Sequence, residues 1–235
     1  MDDPNLDILQ PIVEALGELC ESLVFVGGCT TGLLITAQRA QSIRPTFDVD
    51  VVVHAVTLTD YHAMERALEA RDFRHDLSED APICRWQKDG VVLDLMPSEP
   101  GILSFHNRWY PLVVQTAQRI KLPNGRVIRL ISAPLFLATK FEAFLGRGKK
   151  DYLASHDLED LITVVDGRRE LIDEIQAEDR TLRQYLAHAM NSLLGDSEFM
   201  TALPGQLPGD AASQARLPVL MSRLRAIATL DEEKS

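Results

Sequence analysis

The chain has few cysteines, no long apolar run and no excess of positive charge. Cys20, Cys29 and Cys84 are its only thiols in 235 residues, and no two show a Cys-x-x-Cys spacing. An odd, unclustered set excludes a disulfide scaffold and a zinc ribbon and fits a reducing cytoplasm. No stretch approaches the roughly 20 apolar residues that cross a bilayer, so no membrane partner is expected. The start, Met1-Asp-Asp-Pro-Asn-Leu-Asp7, is acidic where a secretion signal opens basic. Lys and Arg number 24 against 35 Asp and Glu, a net charge of −11. That balance argues against a protein that coats a polyanion over its whole surface. There is no internal repeat and no low-complexity segment. What is present, 46% hydrophobic and 25% charged residues, is ordinary for a globular chain able to bury a core.

Hydrophobic patterning divides the chain in two. Residues 1–131 mix strands and helices, an α+β or α/β pattern, and residues 132–235 read as all-helical. In the first part an amphipathic helix is expected over Leu6–Leu19 and a buried strand over Leu23–Val26, ending in Gly27-Gly28. A helix follows over Thr30–Gln38, then a strand over Phe47–Val53, and a helix from Thr59 to about Arg71. Two hairpins come next. The first turns at Lys88-Asp89-Gly90 between Ile83–Gln87 and Val91–Met96. The second turns at Asn124-Gly125 between Thr116–Leu122 and Arg126–Ile131. In the second part helices are expected over Ser132–Leu145, from a Ser155 cap to Val165, over Arg168–Ala177 and over Leu182–Leu194. Residues 203–218 hold three prolines and two glycines and read as a loop, followed by a last helix to about Leu230 and a frayed tail from Asp231 to Ser235.

Three carboxylates stand out. On the Phe47 strand, Phe47, Val49, Val51 and Val53 form one face, and Asp48 and Asp50 share the other. Asp is a poor strand former, and two like charges roughly 6.5–7 Å apart repel unless a cation lies between them. Asp94 lies in Val91-Val-Leu-Asp-Leu-Met96, apolar on both faces as a central strand is. A carboxylate there needs a metal ion or a buried arginine. Three Asp on two strands make an oxygen-donor set suited to Mg²⁺. Gly27-Gly28, at a strand-to-helix turn, could present backbone N–H groups to phosphates.

The order glycine turn, Asp-x-Asp strand, lone Asp on a later strand resembles the nucleotidyltransferases of the DNA polymerase beta superfamily. Phe25-Val-Gly-Gly-Cys-Thr-Thr-Gly-Leu-Leu34, with Arg44-Pro-Thr-Phe-Asp-Val-Asp50, is similar to the AbiEii/AbiGii-type toxins. Those are abortive-infection toxins of bacterial toxin–antitoxin systems. Lys140 and His156-Asp157-Leu158-Glu159-Asp160-Leu161 match that group's helical half. The resemblance covers roughly Leu23 to Val165. It implies a polymerase-beta-like mixed sheet with flanking helices (residues 1–131) and a helical domain (132–235). It implies that Asp48 and Asp50 bind Mg²⁺ (or Mn²⁺) and the triphosphate, and that Asp94 completes the metal site and helps activate the acceptor hydroxyl. Gly27, Gly28, Thr30 and Thr31 would hold the nucleotide, Lys140 would contact phosphate, and Asp157 would support the site. A nucleoside monophosphate would pass from an NTP to an acceptor with release of pyrophosphate. Cys29 stands where the family usually has Ser or Thr, and His156 where it often has Arg.

From Gly101 to Lys150 nine basic residues face one acid, Glu142, a local balance of +8. Either two strands show basic solvent faces, or an anionic partner binds here. With the resemblance, the partner would be an RNA acceptor such as tRNA, and a cognate antitoxin protein is a further expected partner. The acceptor could instead be a small molecule such as an aminoglycoside. A third alternative is a non-catalytic relative that binds a nucleotide or a protein, and Cys29 favours it. Lys140 shares a helix face with Phe136 and Phe144, which suits either snorkelling or an anion contact. Asp157, just after Ser155, also simply complements a helix dipole. Trp109 and Tyr110 could stack on a base or anchor the core.

Overall fold

The computed structural model describes residues 3–37, 43–147 and 151–231. The ends of the expected Thr30–Gln38 helix and of the C-terminal tail, with Lys149 and Lys150, lie outside them. The chain forms two compact units. One is the sheet unit, Asp2–Gly32 with Arg44–Ser132; the other, helical, unit gathers Leu33–Ile43 with Ala133–Ser235.

The sheet unit carries seven strands: β1 (Leu23–Val26), β2 (Asp48–Val53), β3 (Arg74–His75), β4 (Arg85–Lys88), β5 (Val91–Pro97), β6 (Gln118–Lys121) and β7 (Val127–Leu130). Their order is β3-β4-β5-β2-β1-β7-β6. β2 runs parallel to β5 and β1 parallel to β7, and the other neighbours are antiparallel, so the sheet is mixed. The fold is α+β, in agreement with the sequence pattern. The first helix, α1 (Leu6–Leu16), turns Leu9, Ile12, Val13 and Leu16 inward and packs on β2 and β5. The short α2 (Thr31–Leu34) follows the glycine turn and runs across the boundary of the sheet unit at Gly32, while α3 (Leu58–Glu69) and α4 (Tyr110–Thr116) lie within that unit. Every residue of β1 is buried, as are Val49, Val51 and Val52 of β2, so the central strands are covered on both faces.

Turn chemistry fixes the hairpin registers. Asp89 (φ 50°) and Gly90 (φ 83°) both take positive φ between β4 and β5. That is the two-residue turn whose twist matches the flanking strands. It pairs Lys88 with Val91 and, three residues back, Arg85 with Asp94.

Several boundaries differ from expectation, each for a local reason. α1 ends at Leu16 because Gly17 swings to φ 57°, and a 3₁₀ turn follows to Glu21. α3 is capped by Thr57, not Thr59: the Thr57 hydroxyl and the Asp60 carboxylate bond each other's backbone N–H in a capping box. Phe47 precedes β2 and is 88% exposed, so it is no part of the core face. α4 and the two-residue β3 have no counterpart in the sequence pattern. α4 begins at Tyr110 with Pro111 in its first turn, and its seven residues are too few for a clear helical period.

The helical unit contains α5 (Ala133–Arg147), α6 (His156–Gly167), α7 (Leu171–Ala177), α8 (Arg180–Gly195), α9 (Ser197–Ala202), α10 (Ala211–Gln214) and α11 (Leu217–Ala228). Ser155 caps α6 through its hydroxyl, as expected. Asp179, Asp196 and Asp210 cap α8, α9 and α10. The proline- and glycine-rich stretch expected as loop instead holds a 3₁₀ turn (Leu203–Gln206) and α10, because each of its short pieces has its own N-terminal proline or cap. α5 packs on α6 and α8, and α8 packs on α11. No helix among the described residues is long and apolar enough to cross a membrane.

Candidate active site

The carboxylates are assembled by strand pairing. In the parallel β2–β5 ladder Asp50 is opposite Asp94, and Asp48 is two residues back on β2. The period of two therefore puts all three on one face of adjacent strands. The antiparallel β4–β5 ladder adds Arg85 directly across from Asp94. Its guanidinium grips the cluster. Nε donates to Asp94 Oδ1 at 2.8 Å, and Nη2 donates to Asp94 Oδ2 at 2.8 Å and to Asp48 Oδ2 at 2.9 Å. The other Asp48 oxygen, Oδ1, accepts from the Thr46 hydroxyl at 2.9 Å. Asp94 is 7% exposed and is satisfied by this fork, the arginine alternative that its central-strand position left open. The bonds to Asp94, and behind them the charges of Asp94 and Asp48, hold the Arg85 pKa above its already high ordinary value. Next to it, burial, with the Asp94 and Asp50 charges behind it, pushes the Cys84 thiol up to about 12. Cys84 is thus a neutral packing residue with no thiolate to offer at physiological pH.

Three carboxylates supply suitable oxygens for a divalent cation, but a guanidinium takes both of Asp94's and one of Asp48's here. Among the described residues no group of three or more His, Cys, Asp or Glu is arranged to hold a metal ion. With Arg85 so placed, the cluster does not fit Mg²⁺.

The glycine turn lies against the same cluster. Val26 is paired with Asp50 across β1 and β2, which brings Gly27 beneath the Asp50 side chain. Gly27 has φ 71°, and a Cβ there would lie 1.9 Å from Asp50 Oδ2. Only glycine satisfies both constraints. Gly27→Ala is therefore expected to destabilise the chain by at least about 1–2 kcal/mol from backbone conformation alone, with displacement of Asp50 in addition. Urea melts against wild type check this, and an unchanged midpoint overturns it. Gly28 lies in the 3₁₀ turn Gly28–Thr30. The Thr30 hydroxyl donates to the Gly27 carbonyl at 2.8 Å, and the buried Thr31 hydroxyl has no partner among the described residues. Cys29 is fully buried and points its thiol at the Val26 carbonyl, 3.3 Å away, so it does not present a donor as a Ser or Thr in an open turn does.

In the helical unit, Lys140 and Asp157 come together with Asp160, a residue to which the sequence pattern assigns no role of its own. Lys140 Nζ donates to Asp160 Oδ2 at 2.7 Å and to Asp157 Oδ1 at 3.2 Å. Arg147 Nη2 holds both oxygens of Asp157 at 3.1 and 2.9 Å. Lys140 is 9% exposed and Asp160 1%, so this is a buried ion cluster rather than a snorkelling lysine. The Lys140 ammonium also lies 5.8 Å from the Phe136 ring centroid. His156 is exposed and sits 3.5 Å from Glu159, one helical turn on.

Several basic side chains of the segment are engaged within the protein. Arg119 makes a two-pronged pair with Glu21, Arg129 donates to the Val114 carbonyl, and Lys140 and Arg147 belong to the cluster above. Lys121 and Arg126 remain exposed at the hairpin of edge strand β6. Trp109 is 7% exposed with Arg108 over its ring, and the Tyr110 hydroxyl contacts Met96 Sδ, so Trp109 is a core anchor.

The fold recurs in Helicobacter pylori. The H. pylori protein JHP933 superposes with a TM-score of 0.50 at 12% identity, covering 100% of this chain and 96% of that one. A structure from H. pylori described as a candidate nucleotidyltransferase aligns at a TM-score of 0.47 and 10% identity, covering 100% and 99% of the two chains. No protein-family model matches the chain, and no curated protein does. At this identity the likeness to JHP933 establishes a shared fold and leaves the chemistry to the residues.

Proposed function

We propose that the chain is a nucleotidyltransferase that moves a nucleoside monophosphate from an NTP to an acceptor hydroxyl and releases pyrophosphate. The observation that carries this reading is the convergence of Asp48, Asp50 and Asp94 on one sheet face, with the Gly27 turn directly beneath Asp50. Such a constellation suits phosphoryl chemistry, where positioning and charge neutralisation supply nearly all the catalysis. In this reading Asp94, on the strand between those of Arg85 and Asp50, would orient the acceptor hydroxyl once its oxygens leave the Arg85 fork, and the turn at Gly27 and Gly28, with Thr31, would meet the phosphates. Lys140 and Asp157 shape the helical unit, and their mutual pairing supports a structural role beside the phosphate contact that the family resemblance implies. Asp48, Asp50 and Asp94 are the residues that would hold the Mg²⁺ or Mn²⁺ that the resemblance implies, and the Arg85 fork on Asp48 and Asp94 stands against it.

The acceptor we infer is RNA, in particular tRNA, on the resemblance to AbiEii-type toxins and the exposed Lys121 and Arg126. In that reading the protein acts as the toxin of a toxin–antitoxin or phage-defence pair, countered by an antitoxin protein. The test is incubation with each labelled NTP and Mg²⁺ or Mn²⁺ against total RNA, an aminoglycoside and cell protein. Label transferred to RNA supports the proposal, and label on the small molecule or protein alone overturns the RNA acceptor. If RNA is bound, Lys121→Ser with Arg126→Ser should reduce the salt slope of log K by up to about 1.4, at roughly 0.7 per single-strand phosphate contact. An unchanged slope places the contact elsewhere.

A second reading, a non-catalytic nucleotide- or partner-binding relative, is favoured by two observations: Arg85 in the carboxylate cluster and Cys29 turned into the core. Nucleotide binding without transfer to any acceptor would decide for it.

A further inference from the structure

Arg85 sits on the carboxylate cluster by construction of the hairpin. The Asp89-Gly90 turn sets the register, the register places Arg85 across from Asp94, and the fork then reaches Asp48 as well. The carboxylates of Asp48 and Asp94 are oxygen donors of the kind a divalent ion takes. Yet Nε and Nη2 hold both oxygens of Asp94 and one of Asp48. A small cation needs those same oxygens at about 2.0–2.1 Å for Mg²⁺, and it cannot share them with a guanidinium. The arginine head is not locked in. Its side chain is 25% exposed, and Nη1 makes no hydrogen bond among the described residues.

We propose that Arg85 is a resident counter-ion that closes the cation site: divalent metal and the Arg85 fork are mutually exclusive on Asp48 and Asp94. With the fork in place Asp94 has no oxygen to offer a metal ion and Asp48 has given one of its two to the guanidinium, a group whose best bidentate partner is otherwise a phosphate. This regulation rests on the nucleotidyltransferase reading for its purpose, but the competition itself is a property of Arg85, Asp48 and Asp94. It explains how one cluster can be satisfied without metal and still be built of metal-type ligands.

The test is Mn²⁺ binding to the full chain without nucleotide, read by electron paramagnetic resonance of free Mn²⁺, together with the melting temperature with and without Mn²⁺. Wild type is expected to bind Mn²⁺ weakly and to show little thermal shift. Arg85→Met should melt several degrees lower, bind Mn²⁺ at least about tenfold more tightly, and recover its melting temperature when Mn²⁺ is added, because the ion replaces the lost charge. Arg85→Lys keeps the charge but not the fork. It should fold as wild type and bind Mn²⁺ with intermediate affinity, which decides the matter should Arg85→Met fail to fold. Equal Mn²⁺ affinity in wild type and both variants overturns the exclusion while leaving the nucleotidyltransferase reading intact, to be judged by label transfer. No binding in any of them overturns the exclusion and the cation-dependent mechanism together.

Discussion

Lys140→Met should lower the free energy of unfolding by about 3–5 kcal/mol, the range for removing one partner from a buried ion pair. The ammonium lies 2.7 Å from Asp160 and 3.2 Å from Asp157, and all three side chains are buried. Deleting it leaves two carboxylates in a low-dielectric interior without the ammonium they share. Arg147 still reaches Asp157, but its side chain is 75% exposed, and an exposed partner compensates a buried charge poorly. Asp160 bears most of the loss. The double variant Lys140→Met with Asp160→Leu should regain a large part of it, because apolar replacements of buried ion pairs are often neutral or stabilising. Urea melts of both variants, read with a common m-value, check this. A single-variant loss below about 1 kcal/mol would mean that the cluster is solvated and that Lys140 is there for a ligand alone.

The same cluster marks where the sequence is legible and where it is not. The stripe Phe136, Lys140, Phe144 and the Asp157 cap position are readable from helical spacing. What spacing within one helix does not reveal is a partner on the next. Asp160 meets Lys140 because α5 and α6 pack together, a tertiary fact. The sheet is more legible than the helices, since alternating Val and Asp on β2, and Asp-Gly and Asn-Gly turns, leave period-two signals that a short helix such as α4 does not. Glycine at position 27 reads only as a turn residue, because its need to clear Asp50 arises from the β1–β2 pairing.

Arg85 is the instructive miss. Asp94 in a central strand needs either metal or arginine, and three Asp residues tilt the sequence reading toward metal. Yet the partner is within reach of arithmetic. A two-residue turn at Asp89-Gly90 pairs position 88 with 91, and counting back three puts Arg85 across from Asp94. Adjacent strands set opposite residues roughly 4.5–5.5 Å apart at Cβ, well within an arginine's span. The same count flags the cluster as carrying its own cation from the sequence alone.

Asp50→Asn is expected to abolish label transfer, a loss of at least about 10²–10³-fold, the scale on which removal of one preorganised electrostatic group is felt. It should leave the melting temperature unchanged or higher. The two halves of this expectation have one cause. Asp50 places its carboxylate on the same strand face as Asp48 and Asp94, where like charges repel one another. For phosphoryl chemistry it is the carboxylate standing over the Gly27 turn. Asparagine keeps the shape above Gly27 and removes the charge, so activity and stability separate. Asp48→Asn makes a useful contrast, because Asp48 also holds Arg85 at 2.9 Å and Thr46 at 2.9 Å, and its loss should cost some stability along with transfer. Initial-rate assays and thermal melts on the same preparations measure both. Wild-type turnover in Asp50→Asn would remove Asp50 from the reacting centre. If wild type itself binds nucleotide without transferring it, Asp50→Asn should bind that nucleotide more tightly than wild type, since a triphosphate then meets one negative charge fewer, and the carboxylate cluster would serve recognition rather than transfer.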